Sequence, residues 1–218
     1  ILENKKKIFL TGCPSIDLCK KIDKKNKDSL FKISKSLIGV GEQINFKKDY
    51  IIVMQHPVTN EYGIGKKQVE QTMNACLQLK IQTIWFWPNP DSGSFLISKY
   101  LRNKRESKKL NDILFIKNLS PENFLLLLKY AKCIVGNSSA GIRESSFLGT
   151  PSVNIGSRQE KRERANNVID CPYDEKIIFS SIKKQLGKRY KKNSLYGNGN
   201  SGIKIYKKIK FILKDLKL

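Results

Sequence analysis

Short apolar runs of strand length alternate along this chain with segments whose apolar residues recur at helical spacing, the pattern of a parallel sheet covered by helices. Residues 49–55 (DYIIVMQ) form a continuous, β-branched run, as expected of a strand buried on both faces, and stop at His56-Pro57. Val69, Met73, Cys76 and Leu77 fall at i, i+4, i+7 and i+8 and mark one face of a helix. A strand at 83–87 (TIWFW) closes at Pro88-Asn89-Pro90; a helix at 95–103 and a strand at 113–116 follow. Ser120-Pro121 reads as a helix start, serine as cap and proline in the first position, leading into 124–130. Next come a strand at 133–136, a short helix at 141–148 and a strand at 152–155. Ile177, Phe179, Ile182 and Leu186 give a later helix its stripe; Ile205, Ile209, Ile212, Leu213 and Leu216 do so for the last one. A further strand is expected at 7–10 (KIFL), ahead of Thr11-Gly12. Residues 24–35 are lysine-rich and weakly patterned, and 188–200 form a polar connection rich in Gly and Asn.

From residue 45 onward the element order is therefore βαβαβαβαβ, an α/β fold with a doubly wound parallel sheet and no clear second domain. Right-handed crossovers bring the strand ends to one rim, where ligands bind in open α/β sheets. His56, Asn89, Lys117 and Asn137 each lie just past an expected strand end. Four polar residues arriving at one rim make a stronger signal than any of them alone.

Composition narrows the chemistry. The chain has 218 residues, 39% of them hydrophobic and 28% charged, and no apolar run approaches the ~18 to 20 residues a membrane helix needs, so no membrane partner is expected. Five widely spaced cysteines without a C-x-x-C pair argue against a disulfide framework or thiolate zinc, and fit a reducing, cytoplasmic compartment. His56 is the sole histidine, which excludes multi-histidine metal sites. The net charge of +23 points to nucleic acid at first sight. However, lysine rather than arginine carries the excess, it is scattered along the whole chain, and no aromatic-basic stripe accompanies it. Solvated lysine faces are the simpler reading, and nucleic acid is not expected as a partner. Ile1-Leu2-Glu3 lacks an initiator methionine and a charged-then-apolar leader, so no secretory segment is expected, and a piece of a longer protein fits.

The densest signal is Gly136-Asn137-Ser138-Ser139-Ala140-Gly141-Ile142-Arg143-Glu144. A strand ends, small and hydroxyl residues turn the chain, and a helix begins, so that exposed N–H groups, serine hydroxyls and the positive helix end converge where a phosphate or diphosphate would sit. A plain Ser/Asn helix cap is the alternative. Glu144 could accept hydrogen bonds from two neighbouring hydroxyls, as a ribose diol offers, or could serve only as a helix-dipole carboxylate. Neither a spaced G-x-G-x-x-G nor a Walker loop is present, which disfavours a conventional NAD or ATP site and suits a nucleotide-sugar. His56, held extended by Pro57, would meet the ligand edge, where it could hold a diphosphate oxygen or act as an acid; a structural strand-end histidine is its alternative. Arg158, past the next strand, could clamp phosphate through both guanidinium nitrogens or remain a solvated loop residue.

These segments carry a resemblance. Gln55-His56-Pro57-Val58-Thr59, Pro88-Asn89-Pro90-Asp91-Ser92-Gly93, the run from Gly136 to Glu144 and Gly149-Thr150-Pro151-Ser152-Val153-Asn154-Ile155-Gly156-Ser157-Arg158-Gln159 look like the hydrolysing UDP-N-acetylglucosamine 2-epimerases. Thr11-Gly12-Cys13-Pro14-Ser15-Ile16-Asp17 and Tyr196-Gly197-Asn198-Gly199-Asn200 agree in the same order, and the form is closest to the sialic- and legionaminic-acid type. The resemblance implies a Rossmann-like C-terminal domain of a GT-B fold over residues 1–218, with the N-terminal half absent and a C-terminal helix at 200–218 that packs toward it. It implies elimination of UDP to a glycal followed by addition of water, giving N-acetylmannosamine or a related sugar, with no cofactor and no metal. Carried over, His56 contacts the diphosphate and sugar and is the catalytic candidate; Asn89 lines the cleft; Ser138, Ser139 and Arg158 bind phosphate; Gly141 is a further substrate-binding position; Glu144 takes the ribose; backbone of Lys117, Asn118 and Leu119 holds uracil. The partners implied are UDP-N-acetylglucosamine or a related nucleotide-sugar, the missing half in cis or in trans, and further copies in a homo-oligomer. Two positions depart from the family pattern: Lys161 stands where glycine is common, and Asn198 where aspartate is usual. The family's proton-transferring carboxylates have no counterpart in this chain, so it is expected to be inactive alone. A GT-B glycosyltransferase donor domain and a stand-alone nucleotide-sugar binding module are the alternatives.

Overall fold

The computed structural model describes residues 8–34, 37–107 and 110–215. Seven strands form one sheet in the order β1-β4-β3-β2-β5-β6-β7: β1 (Gly39–Gly41), β2 (Tyr50–Met54), β3 (Gln82–Phe86), β4 (Ile113–Ile116), β5 (Ile134–Gly136), β6 (Ser152–Ile155) and β7 (Val168–Cys171). Strands β2 to β7 run parallel; β1 pairs antiparallel on the β4 edge, Val40 opposite Phe115. With β1 set aside, the order is that of a Rossmann fold, in which the chain starts in the middle and winds first one way and then the other. The reversal lies between β2 and β5, where Met54 is level with Gly136.

Alternation along the strands feeds two cores. Ile52, Ile84, Phe86, Leu114 and Ile116 face one side, under α1 (Pro14–Ile22), α2 (Asp28–Ile33), α5 (Pro121–Tyr130) and α6 (Glu144–Leu148). Ile51, Val53, Trp85, Phe115 and Val153 face the other, under α3 (Gly65–Leu79), α4 (Ser94–Ser107) and α7 (Glu175–Gln185). Burial on both faces is why these strands read as continuous apolar runs. The Ser120 hydroxyl caps α5 by accepting from the Asn123 N–H at 3.3 Å, and Asp174 caps α7 through the Ile177 N–H at 2.9 Å.

At the reversal, Gly136 has φ 124° and its missing side chain leaves room for β2: a Cβ there would overlap the Met54 carbonyl. The last helix, α8 (Ser201–Asp215), begins on the Asp17 carboxylate of α1, which accepts from the N–H groups of Ser201 (2.8 Å) and Gly202 (2.7 Å). Burial alone would raise the Asp17 carboxyl, but these two bonds hold it below its ordinary value.

The expected strands and helices from residue 49 to 213 form, with ends shifted by a residue or two; Lys7, Lys35 and Leu216 lie outside the described residues. The strand expected at 7–10 does not form. Ile8, Phe9 and Leu10 are unpaired and exposed, Leu10 almost completely, and Lys208 of α8 sits 4.0 Å from the centre of the Phe9 ring. Apolar residues of the right length make no strand without a ladder partner, and among the described residues none pairs with this segment. The expected helix at 141–148 divides into a 3₁₀ turn, Ser139–Gly141, and α6. No helix among the described residues is long and apolar enough to cross a membrane.

Candidate functional site

The parallel strands end together on one rim, and their connections supply the candidate residues. His56 and Asn89, with Lys117, Asn118 and Leu119, line one cavity of about 280 Å³, closed beneath by Met54, Phe86 and Phe124. Three separate crossovers thus deliver five of the sequence-selected residues to a single place, beside the reversal of the sheet.

His56 is buried, and its Nδ1 accepts a hydrogen bond from the Asn89 N–H at 3.1 Å. An Nδ1 that accepts carries no proton, so the neutral ring holds its hydrogen on Nε2. Burial, aided by the nearby Arg158 guanidinium and opposed by the Asp91 carboxylate, depresses the imidazole to about 4. At neutral pH the ring is therefore a fixed, uncharged donor. Of the two roles open to it from sequence, holding an anionic oxygen suits this state, whereas acting as a cationic acid does not.

The backbone on either side of that ring is fixed by Asn137. Its amide oxygen accepts from the His56 N–H at 2.7 Å and its amide nitrogen donates to the His56 carbonyl at 2.8 Å, tying the end of β5 to the end of β2. Its own carbonyl takes hydrogen bonds from Gln159 Nε2 (2.9 Å) and Arg158 Nη1 (3.2 Å). Asn137 is fully buried, so its place past a strand end reflects a structural tie between neighbouring strands. Arg158 Nη2 also lies 3.8 Å from the Asp91 carboxylate.

The serine turn stands on the β5 side and does not line the cavity. Ser138 caps the 3₁₀ turn, its hydroxyl accepting from the Ala140 N–H at 3.3 Å. The turn's own ladder uses the amides of Gly141 and Ile142, leaving those of Ser138 and Ser139 outside it. Gly141 is buried behind the turn, where a Cβ would press on the Ser152 hydroxyl. Glu144 opens α6, buried, with Oε1 3.3 Å from Arg143 Nη2 and Oε2 without a hydrogen-bond partner among the described residues. Lys161 adopts φ 63°, the left-handed backbone that glycine favours.

Sequence reasoning did not single out Asp91, Gln159 or Arg143, all of which touch the selected residues. Each lies inside a quoted motif, but only the folded contacts reveal its target.

The fold is thus a Rossmann-type unit with polar residues gathered beside the reversal of its sheet. The family profile described as UDP-N-acetylglucosamine 2-epimerase matches residues 2–210, and the chain belongs to that family. Over 213 residues it is 29% identical to UDP-N,N′-diacetylbacillosamine 2-epimerase (hydrolyzing) of Legionella pneumophila, covering 96% of this chain and 53% of that protein. It is 34% identical over 189 residues to UDP-N-acetylglucosamine 2-epimerase of Neisseria meningitidis, covering 85% and 46%. The chain thus spans about half the length of the curated relatives it matches. Its fold is similar to that of the Methanocaldococcus jannaschii UDP-GlcNAc 2-epimerase solved with UDP-GlcNAc and UDP, at TM-score 0.73 and 19% identity, covering 96% of this chain and 56% of that one.

Proposed function

We propose that this chain is the nucleotide-sugar-holding, C-terminal half of a hydrolysing 2-epimerase of GT-B build, acting on UDP-N-acetylglucosamine or a related UDP-amino sugar. The observation that carries the reading is the cavity at the sheet reversal, where His56, Asn89 and the 117–119 segment meet.

In this reaction UDP leaves the anomeric carbon by anti elimination, giving a glycal, and water then adds to release the 2-epimerised sugar. The chain's own residues act on the leaving group. Backbone of Lys117, Asn118 and Leu119 holds the base, and Glu144 accepts from the ribose hydroxyls. The Ser138-Ser139 turn and Arg158 hold the diphosphate. His56 donates from Nε2 to a diphosphate oxygen, stabilising the charge that develops as the bond to the sugar breaks; a neutral donor does so without giving up its proton. Asn89 lines the sugar side of the cleft. The groups that move the proton at the sugar C2 belong to the other half, supplied in cis or in trans, so the 218-residue chain binds without turning over.

The exposed stripe of α8, Ile203, Tyr206, Ile209 and Ile212, supports the further proposal that this helix packs toward the other half. The complete protein is proposed to be a cytoplasmic homo-oligomer.

Calorimetric titration of the chain with UDP, paired with an assay for free sugar from UDP-N-acetylglucosamine, tests the reading. Saturable UDP binding without sugar release is expected, with Glu144→Ala weakening it by about 1.5 to 3 kcal/mol through lost bonds to a charged group. Release of N-acetylmannosamine by the chain alone would overturn the proposed inactivity, and affinity unchanged by Glu144→Ala would overturn the ribose assignment.

A further inference from the structure

Arg143 is not used by the function proposed above, although it touches two of that function's residues. Its guanidinium Nη2 donates to the Ser139 hydroxyl at 3.1 Å and lies 3.3 Å from Glu144 Oε1, while Nη1 lies 3.6 Å from Cys13 Sγ at the start of α1. One planar cation therefore joins the serine turn, the first residue of α6 and the helix packed over them. A lysine ammonium could meet one of these partners but lacks the fork that spans them.

Glu144 is left in an unusual state by this arrangement. Its side chain is 7% exposed, Oε1 is engaged by Arg143, and Oε2 is buried without a donor. Buried polar atoms in folded proteins nearly always have partners, and an orphaned carboxylate oxygen is costly. Such an atom at the opening of α6, directly after the turn at the ligand rim, is suited to a donor that arrives from outside the chain. Arg143 Nε is likewise buried without a hydrogen-bond partner among the described residues, so the pair is held through one contact and not as a two-bonded fork.

We propose that Arg143 is a positioning residue that sets selectivity for the sugar of the nucleotide: it pins one oxygen of Glu144 so that the other is kept for a ribose hydroxyl, favouring ribonucleotides over 2′-deoxyribonucleotides. The inference rests on the reading of this rim as a nucleotide-sugar site and goes beyond it by naming the residue that makes the pentose contact selective. A residue that merely held the turn together would affect both kinds of nucleotide alike.

The test is calorimetric titration of the 218-residue chain, unsubstituted and as Arg143→Gln and Arg143→Lys, with UDP and with 2′-deoxy-UDP, thermal unfolding being recorded for each variant. The unsubstituted chain is expected to prefer UDP by about tenfold, the scale of one hydrogen bond to a charged group. Arg143→Gln should lose most of that ratio, any loss through the Ser139 contact being common to both nucleotides, and Arg143→Lys should recover part of it. Equal loss for both nucleotides, or an undiminished ratio in folded Arg143→Gln, overturns the proposal while leaving the nucleotide reading in place. Should Arg143→Gln not fold, Arg143→Lys decides: a reduced ratio supports the proposal and an intact ratio overturns it. Failure of the unsubstituted chain to bind UDP at all overturns the nucleotide reading and this proposal together.

Discussion

Protonating His56 means placing a second N–H against the Asn89 amide that now donates to Nδ1, in a buried site beside Arg158. The cost appears in stability as well as in chemistry. In the unfolded chain the imidazole titrates near its ordinary 6.5, whereas the folded value is about 4. Between these two values the unfolded state binds the proton that the folded state refuses. The contribution is therefore fully present above 6.5 and is lost as the pH falls toward 4, by an amount on the order of 3 kcal/mol. Denaturant unfolding at a series of pH values should show this slope in the unsubstituted chain and a flatter one in His56→Gln; superimposable slopes would contradict the assignment. At this scale the sequence is informative about which residues reach the rim, because a strand end followed by a polar residue is visible in the pattern. It is silent about what each one touches. Asn137 reads as a fourth rim residue, yet its amide is consumed by the backbone of His56, and Arg143 reads as one letter of a motif until its guanidinium is seen on Ser139 and Glu144.

Elements buried on both faces are legible because burial makes them continuously apolar, as β2, β3 and β4 are. Edge elements carry less signal. β1 is Gly-Val-Gly, exposed throughout and held by its ladder with β4, while β7 is only partly covered. Helix α2, within the lysine-rich 24–35 segment, buries just Leu30 and Ile33. Helix α1 could have been found: Pro14 stands in its first turn, and Ile16, Cys19 and Ile22 recur three residues apart on its buried side. Its function in the fold is also particular, since Asp17 anchors the start of α8 across 184 residues of sequence. Asp17→Ala should remove both bonds and loosen the first turn of α8, costing about 1 to 2 kcal/mol, as lost N-terminal caps do. Hydrogen exchange at Ser201 and Gly202 would read the change directly, and unaltered protection there would show that α8 is held by other contacts.

On the scale of the whole molecule, the two winding directions of the sheet place the end of β2 beside the end of β5, and this adjacency brings residues 81 positions apart, His56 and Asn137, to one rim. The +23 charge and the scattered lysines change nothing in that geometry. A second concavity, between α3 and α4 and lined by Lys66, Lys99 and Tyr100, lies on flanking helices away from the strand ends, and no nucleotide is expected there. Amide hydrogen exchange of the chain with and without UDP therefore tests the central claim most directly. UDP is expected to slow exchange at 117–119 and 138–144 while 66–70 and 96–104 are unaffected. Protection absent from the first two segments, or concentrated in the last two, would contradict it.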